Sequence, residues 1–255
     1  MSAIRVENLT KRYGETVALD DVSFEIEEGE FVVVLGISGS GKSTLLRCIN
    51  GLTAPTDGAV YVQDEPVTSH RQDVSMVFQQ HNVIEGMSAY SNALTGALSR
   101  ADYLESVLRF NDREDKIKAL EALETVGLLD EAEQRAGRMS GGQQQRVGIA
   151  RALVQDSDIL LADEPVASLD PGSAQTVMGY LRTAAEQRGL TAMISLHQVN
   201  LARQFGQRFI GLADGELVFD GYGDELTLDV IDELYGGIDM EEFLSAGDDK
   251  REATQ

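Results

Sequence analysis

A glycine-rich run at residues 36–43 limits most strongly what this chain can fold into. The run reads Gly-Ile-Ser-Gly-Ser-Gly-Lys-Ser, and it lies between an apolar run at residues 31–35 and helix-forming residues at 44–47. Glycine, four residues, glycine, lysine and serine, placed between a strand and a helix, indicate a phosphate-binding loop. Glycines allow backbone N–H groups to surround phosphate oxygens, and the helix N-terminus adds a positive dipole.

Two side chains of this loop have predicted chemical roles. We expect Lys42 to reach the β- and γ-phosphate oxygens of a nucleotide, and the Ser43 hydroxyl to ligate Mg²⁺. The candidate nucleotide-binding residues of the loop are Gly36, Ile37, Ser38, Gly39, Ser40, Gly41, Lys42, Ser43 and Thr44.

The periodicity of apolar residues predicts an α/β fold. Alternating apolar residues at 4–9, 22–26 and 60–62 predict antiparallel strands. Continuous apolar runs at 32–35, 159–162 and 192–196, with helices between them, predict buried strands of a parallel sheet. We therefore expect a mixed-sheet core of the P-loop type, with an antiparallel β subdomain.

The sequence pattern in the middle of the chain predicts a helical insertion. Strand patterns disappear over residues 87–152, where helical periodicity follows the candidate N-cap Asp112. We assign residues 1–86 and 153–223 to the nucleotide-binding core and residues 224–255 to an acidic C-terminal extension. The polar end of that extension, residues 248–255, is expected to fray.

Composition narrows the class of partner and the location. The 255 residues carry 43 acidic and 21 basic side chains, a net charge of −22, which makes nucleic acid a poor partner. The acidic residues are spread along the chain, and we expect a halophilic protein from a high-salt cytoplasm, where salt screens their repulsion. No apolar run approaches the ~20 residues of a membrane-spanning helix, and the N-terminus lacks a signal-peptide pattern, so we expect a cytoplasmic location. The only cysteine, Cys48, excludes an internal disulfide and is expected to pack in the core.

Two carboxylates follow the apolar run that ends at Ala162. Asp163 and Glu164 are successive residues at a strand end, so their side chains point to opposite sides of the strand. This difference favours Asp163 as a Mg²⁺ ligand and Glu164 as the general base that activates water. Two solvated acids are the structural alternative, which the preceding phosphate-binding loop makes less favourable.

A second anion-binding helix terminus is predicted near residue 140. Ser140, Gly141, Gly142 and Gln143 precede a predicted helix over residues 144–154, for which Ser140 is a natural cap. Capping accounts for the serine, whereas two glycines also expose N–H groups at the positive end of the helix. Such a segment has no evident task in an active site built from one chain.

The ordered set of motifs resembles the nucleotide-binding subunit of ABC transporters, and the resemblance covers nearly all of residues 3–222. It implies a dimer in which Ser140 and Gly142 of one chain close over the γ-phosphate of ATP bound by the other chain. It also implies functional roles for residues that could be structural if judged by their chemistry alone. Tyr13 is expected to stack on adenine, Gln79 to contact Mg²⁺ and water, His197 to contact the γ-phosphate, and Asp170 to lie where the two chains touch.

Several strings around these motifs are similar to the phosphonate import group of the family. The most specific is Pro-Val-Ala-Ser-Leu-Asp at residues 165–170. Ile37 and Met139 differ from the proline and leucine that are common in related importers, but neither change removes a functional group. The resemblance implies two membrane-spanning permease subunits, an extracytoplasmic phosphonate-binding protein, and a peripheral position on the cytoplasmic face of the membrane.

The motifs leave other functions open. Phosphate, phosphite or another small oxyanion could be the imported solute, and lipoprotein release or export would use the same ATPase motifs. A soluble ABC ATPase that acts on DNA or ribosomes is a different class. Such proteins usually carry long coiled-coil insertions, paired ATPase halves or basic surfaces, none of which this sequence shows.

Overall fold

The computed structural model describes residues 2–79, 82–100 and 113–236, with the side chains of residues 99 and 100 excepted. Its strands form two sheets. In chain order the strands are β1 (Ser2–Tyr13), β2 (Thr16–Glu27), β3 (Phe31–Leu35), β4 (Asp57–Val62), β5 (Glu65–Pro66), β6 (Val74–Val77), β7 (Ile159–Asp163), β8 (Thr191–Leu196), β9 (Arg208–Ala213) and β10 (Glu216–Tyr222).

The larger sheet has the strand order β10-β9-β3-β8-β7-β6. Its five strands from β9 to β6 are parallel, and only the edge strand β10 is antiparallel. Every residue of β3, β7 and β8 is buried, which confirms the strands predicted from the continuous apolar runs. Because parallel strands end at one edge, the segments after β3, β7 and β8 meet there.

The smaller sheet is antiparallel and has the order β2-β1-β4-β5. The predicted strands at 4–9, 22–26 and 60–62 are confirmed, although β1 and β2 each continue over 12 residues. Register shifts interrupt the pairing of β1 with β2, and such irregularities obscure strict alternation in the sequence. The buried face of this sheet packs on Leu45 and Leu46 and on one face of the larger sheet.

The helices cover the sheets, and three of them lie in the described parts of the segment between β6 and β7. They are α1 (Lys42–Ile49), α2 (Ala89–Leu94), α3 (Arg113–Thr125), α4 (Gly141–Val154), α5 (Pro171–Arg188), α6 (Val199–Phe205) and α7 (Leu228–Tyr235), with 3-10 turns at Thr95–Arg100 and Ala136–Arg138. The proposed helical subdomain, 87–152, contains α2, α3 and most of α4, and its division from the core stays a prediction. The predicted cap Asp112 lies outside the described residues.

No helix in the part of the chain that the structure describes is long and apolar enough to span a bilayer. The fully buried Cys48 lies on the core side of α1, in agreement with a packing role. Burial raises the pKa of its thiol to about 11, which keeps the side chain neutral near pH 7.

The C-terminal extension begins with an ordered helix. Thr227 caps α7, and the helix ends at Gly236, whose φ of 69° is the left-handed geometry of a helix C-terminus. The buried side chains Ile231 and Leu234 belong to the core, and Leu234 packs directly against Gly211 of β9. Residues 237–255, including the predicted frayed end, lie outside the described residues.

Candidate nucleotide-binding and hydrolysis site

The loop between β3 and α1 has the backbone that a phosphate cradle requires. Gly36 and Gly41 have φ angles of 148° and 104°. A Cβ atom would lie 2.3 Å from the Leu212 carbonyl at the first position and 2.5 Å from the Ala18 carbonyl at the second, so both positions need glycine. No side chain caps α1, and the N–H groups of its first turn remain available to an anion.

Lys42, the first residue of α1, is held inside this loop. Its side chain is only 3% exposed, and its Nζ donates to the carbonyl oxygens of Gly36 at 2.7 Å and Ile37 at 2.8 Å. The nearest carboxylate oxygen paired with it is Oε1 of Glu164, 3.4 Å away. The ammonium group is therefore held between the loop carbonyls and the Glu164 carboxylate.

Asp163, at the end of β7, accepts two hydrogen bonds at one oxygen. Ser43 Oγ donates to Asp163 Oδ1 at 2.8 Å, and Ser195 Oγ donates to the same atom at 3.0 Å. Through these contacts, Ser43 of the phosphate loop and Ser195 of β8 are both bonded to the first residue of the acidic pair. Gln79 lines the same cavity as Ser43, and hydroxyl, carboxylate and amide oxygens are ligands that suit Mg²⁺.

Ser195 is a residue of the candidate site that sequence reasoning missed. It is a fully buried residue of β8, and its hydroxyl accepts a hydrogen bond from the backbone N–H of Glu164 at 2.8 Å while it donates to Asp163. A polar residue within the otherwise apolar run at residues 192–196 was the available signal. The register that pairs Ser195 with Asp163 is visible only in the folded sheet.

Glu164 lies between the two candidate phosphate-contacting residues. Its backbone is left-handed, with φ of 43°, a conformation that few residues other than glycine adopt. Its Oε1 is 3.4 Å from Lys42 Nζ, and its Oε2 is 3.9 Å from Nδ1 of His197, whose side chain is 40% exposed. The carboxylate is thus close to both groups and is itself 17% exposed, which gives water access to it.

Lys42, Ser43 and Glu164 lie on the wall of one cavity of about 220 Å³, whereas Asp163 and His197 are outside its lining. It is lined by Ala18, Ser38, Gly39, Gly41, Lys42, Ser43, Thr44, Gln79 and Glu164. The phosphate loop, the glutamine and the acidic pair, which are far apart in sequence, therefore meet at one edge of the parallel sheet. Tyr13 is not part of this wall. It lies at the end of β1 and is 50% exposed, so its predicted contact with adenine stays a prediction.

The segment at residues 140–143 forms a helix cap. Ser140 Oγ accepts a hydrogen bond from the Gln143 N–H at 3.3 Å, and the Ser140 N–H donates to Gln143 Oε1 at 3.0 Å. This reciprocal pair is a capping box. The predicted helix start at residue 144 was wrong, because α4 begins at Gly141 and the box fixes both glycines in its first turn.

This cap lies away from the phosphate loop of the same chain. Ser140, Gly142, Gln143 and Asp170 line a separate cavity of about 270 Å³. Asp170 caps α5, and its Oδ1 accepts hydrogen bonds from the N–H groups of Gly172 and Ser173, both at 3.1 Å. Hydrogen bonding to Ser173 lowers the pKa of Asp170. The N-termini of α4 and α5 therefore line one cavity, and Lys42 of the phosphate loop is not among its lining residues.

The sequence profile of the ABC transporter family matches residues 19–167, which include the phosphate loop, the glycine cap and the acidic pair. The chain belongs to the ABC transporter family. A phosphonates import ATP-binding protein of Halobacterium salinarum is 66% identical, over 98% of this chain and 89% of that protein. A protein of the same description from Thiobacillus denitrificans is 48% identical, over 92% of this chain and 93% of its own length.

Solved structures of ABC cassettes share the fold. A nucleotide-free ATP-binding cassette of an ABC transporter matches with a TM-score of 0.78 and 27% identity, over 92% of this chain and 95% of that one. A dimeric cassette in a post-hydrolysis state, bound to ADP and Pi, matches with a TM-score of 0.71 and 35% identity, over 86% of this chain and 98% of that one. These matches confirm the predicted ABC-type α/β fold.

Proposed function

We propose that this ABC protein hydrolyses ATP to energise the import of phosphonate through a membrane transporter. The observation that carries the proposal is the cavity in which Lys42, Ser43, Gln79 and Glu164 meet. Relatives that are similar over nearly the whole chain are phosphonates import ATP-binding proteins, which supports the choice of solute.

The proposed reaction places each side chain in a separate role. Lys42 and the N-terminus of α1 would neutralise the β- and γ-phosphates of ATP. Glu164 would accept a proton from the attacking water, and His197, whose Nδ1 is 3.9 Å from that carboxylate, would contact the γ-phosphate. Ser43, Gln79 and Asp163 would hold Mg²⁺, which supplies positive charge opposite the phosphate oxygens when bound.

A homodimer would complete the site. In one chain, Ser140 and Gly142 line a cavity different from the one that contains Lys42. The N-terminus of α4 can serve as an anion-binding terminus for ATP held by a second chain, with Asp170 beside the contact. The dimeric cassette bound to ADP and Pi provides a precedent for such an assembly in the family.

The permease subunits would contact a groove next to Gln79. This groove, about 390 Å³ in volume, is lined by the apolar side chains Met76 and Phe78 and by Arg151. The Arg151 guanidinium donates to the Asn82 carbonyl at 2.6 Å, and burial lowers its pKa. An apolar cleft that contains a desolvated cation suits a helix with an apolar face and an acidic group. Two permeases, an extracytoplasmic binding protein and peripheral attachment at the cytoplasmic face complete the proposal.

Growth on a single phosphorus source tests the solute. A strain that lacks this gene should fail to grow on methylphosphonate, and the wild-type gene should restore growth. The Glu164→Gln gene is the matched control, because it should produce the chain without turnover. Parallel cultures on phosphite and phosphate identify the solute, since a defect confined to either of those would reject phosphonate as the cargo.

The charge of −22 predicts that stability depends on salt. At molar salt the screening length falls to ~3 Å, whereas at low salt the acidic groups repel one another and favour the expanded chain. We expect the Tm from circular dichroism to fall on dialysis from concentrated KCl to dilute buffer. Sucrose serves as the control, because it stabilises by exclusion without screening charge. A Tm that does not change with KCl would contradict adaptation to high salt.

A further inference from the structure

The C-terminal helix α7 contributes a side chain to the edge of the hydrolysis site. The Tyr235 hydroxyl donates to the backbone carbonyl of His197 at 3.0 Å. The same helix packs Leu234 against Gly211 of β9, and Gly211 is paired with Leu35, the residue before the phosphate loop. One helix therefore holds the loop after β8 through its phenol and lies against the strand that borders β3.

The register of the sheet explains why a bridge is useful here. β3 and β8 are neighbouring parallel strands, and their last residues, Leu35 and Leu196, are paired. Gly36 and His197 come directly after this pair, where the sheet hydrogen bonds end. The Gly36 carbonyl also accepts from Lys42 Nζ at 2.7 Å. A helix that packs on β9 and is bonded to the His197 carbonyl consequently limits the movement of His197 relative to Gly36 and Lys42.

The helix that carries Tyr235 is firmly packed. Ile231 and Leu234 are buried, and the Arg203 guanidinium donates to the carbonyl of Leu226 just before the helix. Burial raises the pKa of Tyr235 to about 12, so the hydroxyl keeps its proton at neutral pH. It can therefore serve as a permanent donor to the His197 carbonyl.

We propose that Tyr235 is a positioning residue, which holds the His197 loop at a fixed distance from the phosphate loop through its hydroxyl. This inference rests on the proposed function, in which His197 contacts the γ-phosphate. It also gives the C-terminal extension a defined task, because α7 ties the His197 loop to β9, the strand beside β3. Small errors in the position of a group that contacts the reacting phosphate raise the barrier more than they weaken binding.

The Tyr235→Phe variant tests the hydroxyl alone. The ring still packs, and we expect unchanged Tm, a KM for ATP within about twofold, and a kcat that is about five- to tenfold lower, as for a lost positioning hydrogen bond. Tyr222→Phe is the matched control, because Tyr222 is 55% exposed on β10 and should leave kcat unchanged. Equal kcat for Tyr235→Phe and the wild type would overturn the proposal, as would a rise in KM with lower Tm.

A second measurement separates positioning from general packing. If Tyr235 acts through His197, Tyr235→Phe should cost little further activity in a His197→Ala background. Single-turnover assays with enzyme in excess keep slow variants measurable. If the double variant instead lost activity by the product of the two single losses, Tyr235 would not act through His197. A wild-type chain that hydrolyses no ATP would instead reject the proposed function, an outcome distinct from an active wild type whose kcat is insensitive to the Tyr235 hydroxyl.

Discussion

Replacing Glu164 with glutamine is expected to stop ATP turnover while ATP binding persists. The amide has nearly the shape of the carboxylate but cannot take a proton from water. A positioned general base contributes on the order of 10²–10⁴ in rate, so kcat should fall by that factor. Because closure over ATP needs no proton transfer, we expect the variant to accumulate as an ATP-bound dimer. Phosphate release and size-exclusion chromatography with ATP measure the two effects.

Glu216→Gln is a suitable control, because Glu216 is exposed at the start of β10 and its substitution makes the same change in formal charge. It should hydrolyse ATP at the wild-type rate. Rapid turnover by Glu164→Gln would exclude Glu164 as the base. A variant that lost nucleotide affinity would point instead to a binding role through the contact between Glu164 and Lys42, 3.4 Å in length.

Substitutions at Ser140 or Gly142 should depress hydrolysis without a comparable loss of nucleotide affinity in the monomer. Ser140 caps α4 and Gly142 lies in its first turn, and both lie apart from the phosphate loop of their own chain. Removal of a donor that faces developing negative charge costs on the order of a hundredfold in rate. We expect that loss for Ser140→Ala in steady-state assays, with nucleotide affinity measured separately by equilibrium titration of the monomer.

The same substitution weakens a helix cap, which alone costs about 1 kcal/mol of stability. Ser88→Ala controls for this effect, because Ser88 caps α2 through a 3.1 Å hydrogen bond from the Ser91 N–H. If Ser88→Ala lowered hydrolysis as strongly as Ser140→Ala, helix stability rather than contact with ATP would be the cause.

Mixed dimers decide whether the site is shared. With Ser140→Ala in one chain and Lys42→Ala in the other, a shared arrangement leaves one complete site. With both changes in a single chain beside a wild-type partner, each shared site carries one lesion. The first dimer should therefore hydrolyse ATP faster than the second. The opposite order would mean that each chain completes its own site.

The local parts of the site could be predicted from sequence. Spacing alone identified Lys42 and Ser43, because a phosphate loop depends on consecutive glycines and on the helix that follows. Asp163 and Glu164 could be assigned to a strand end because a buried strand is a continuous apolar run. Each of these patterns lies within fewer than ten residues, and the local structure that it predicts is present in the fold.

Long-range contacts could not be predicted in this way. Ser195 looks like one polar residue in an apolar strand until the register of β7 and β8 places it beside Asp163. Tyr235 lies in the acidic C-terminal extension, outside the site motifs. No sequence pattern at those motifs indicates that α7 packs on β9. The start of α4 was misplaced because glycine disfavours helix, whereas the Ser140–Gln143 capping box overrides that propensity.

If Glu164 is the general base, as proposed, its left-handed backbone places stability and catalysis in conflict at a single residue. A non-glycine residue with φ of 43° costs the folded chain on the order of 1 kcal/mol, and glycine would relieve that strain. The Ser195 hydroxyl, which accepts from the Glu164 N–H, helps to hold this conformation. A search for stabilising substitutions would therefore favour the loss of the carboxylate at this position, so thermostability alone is an unsafe guide for engineering this protein.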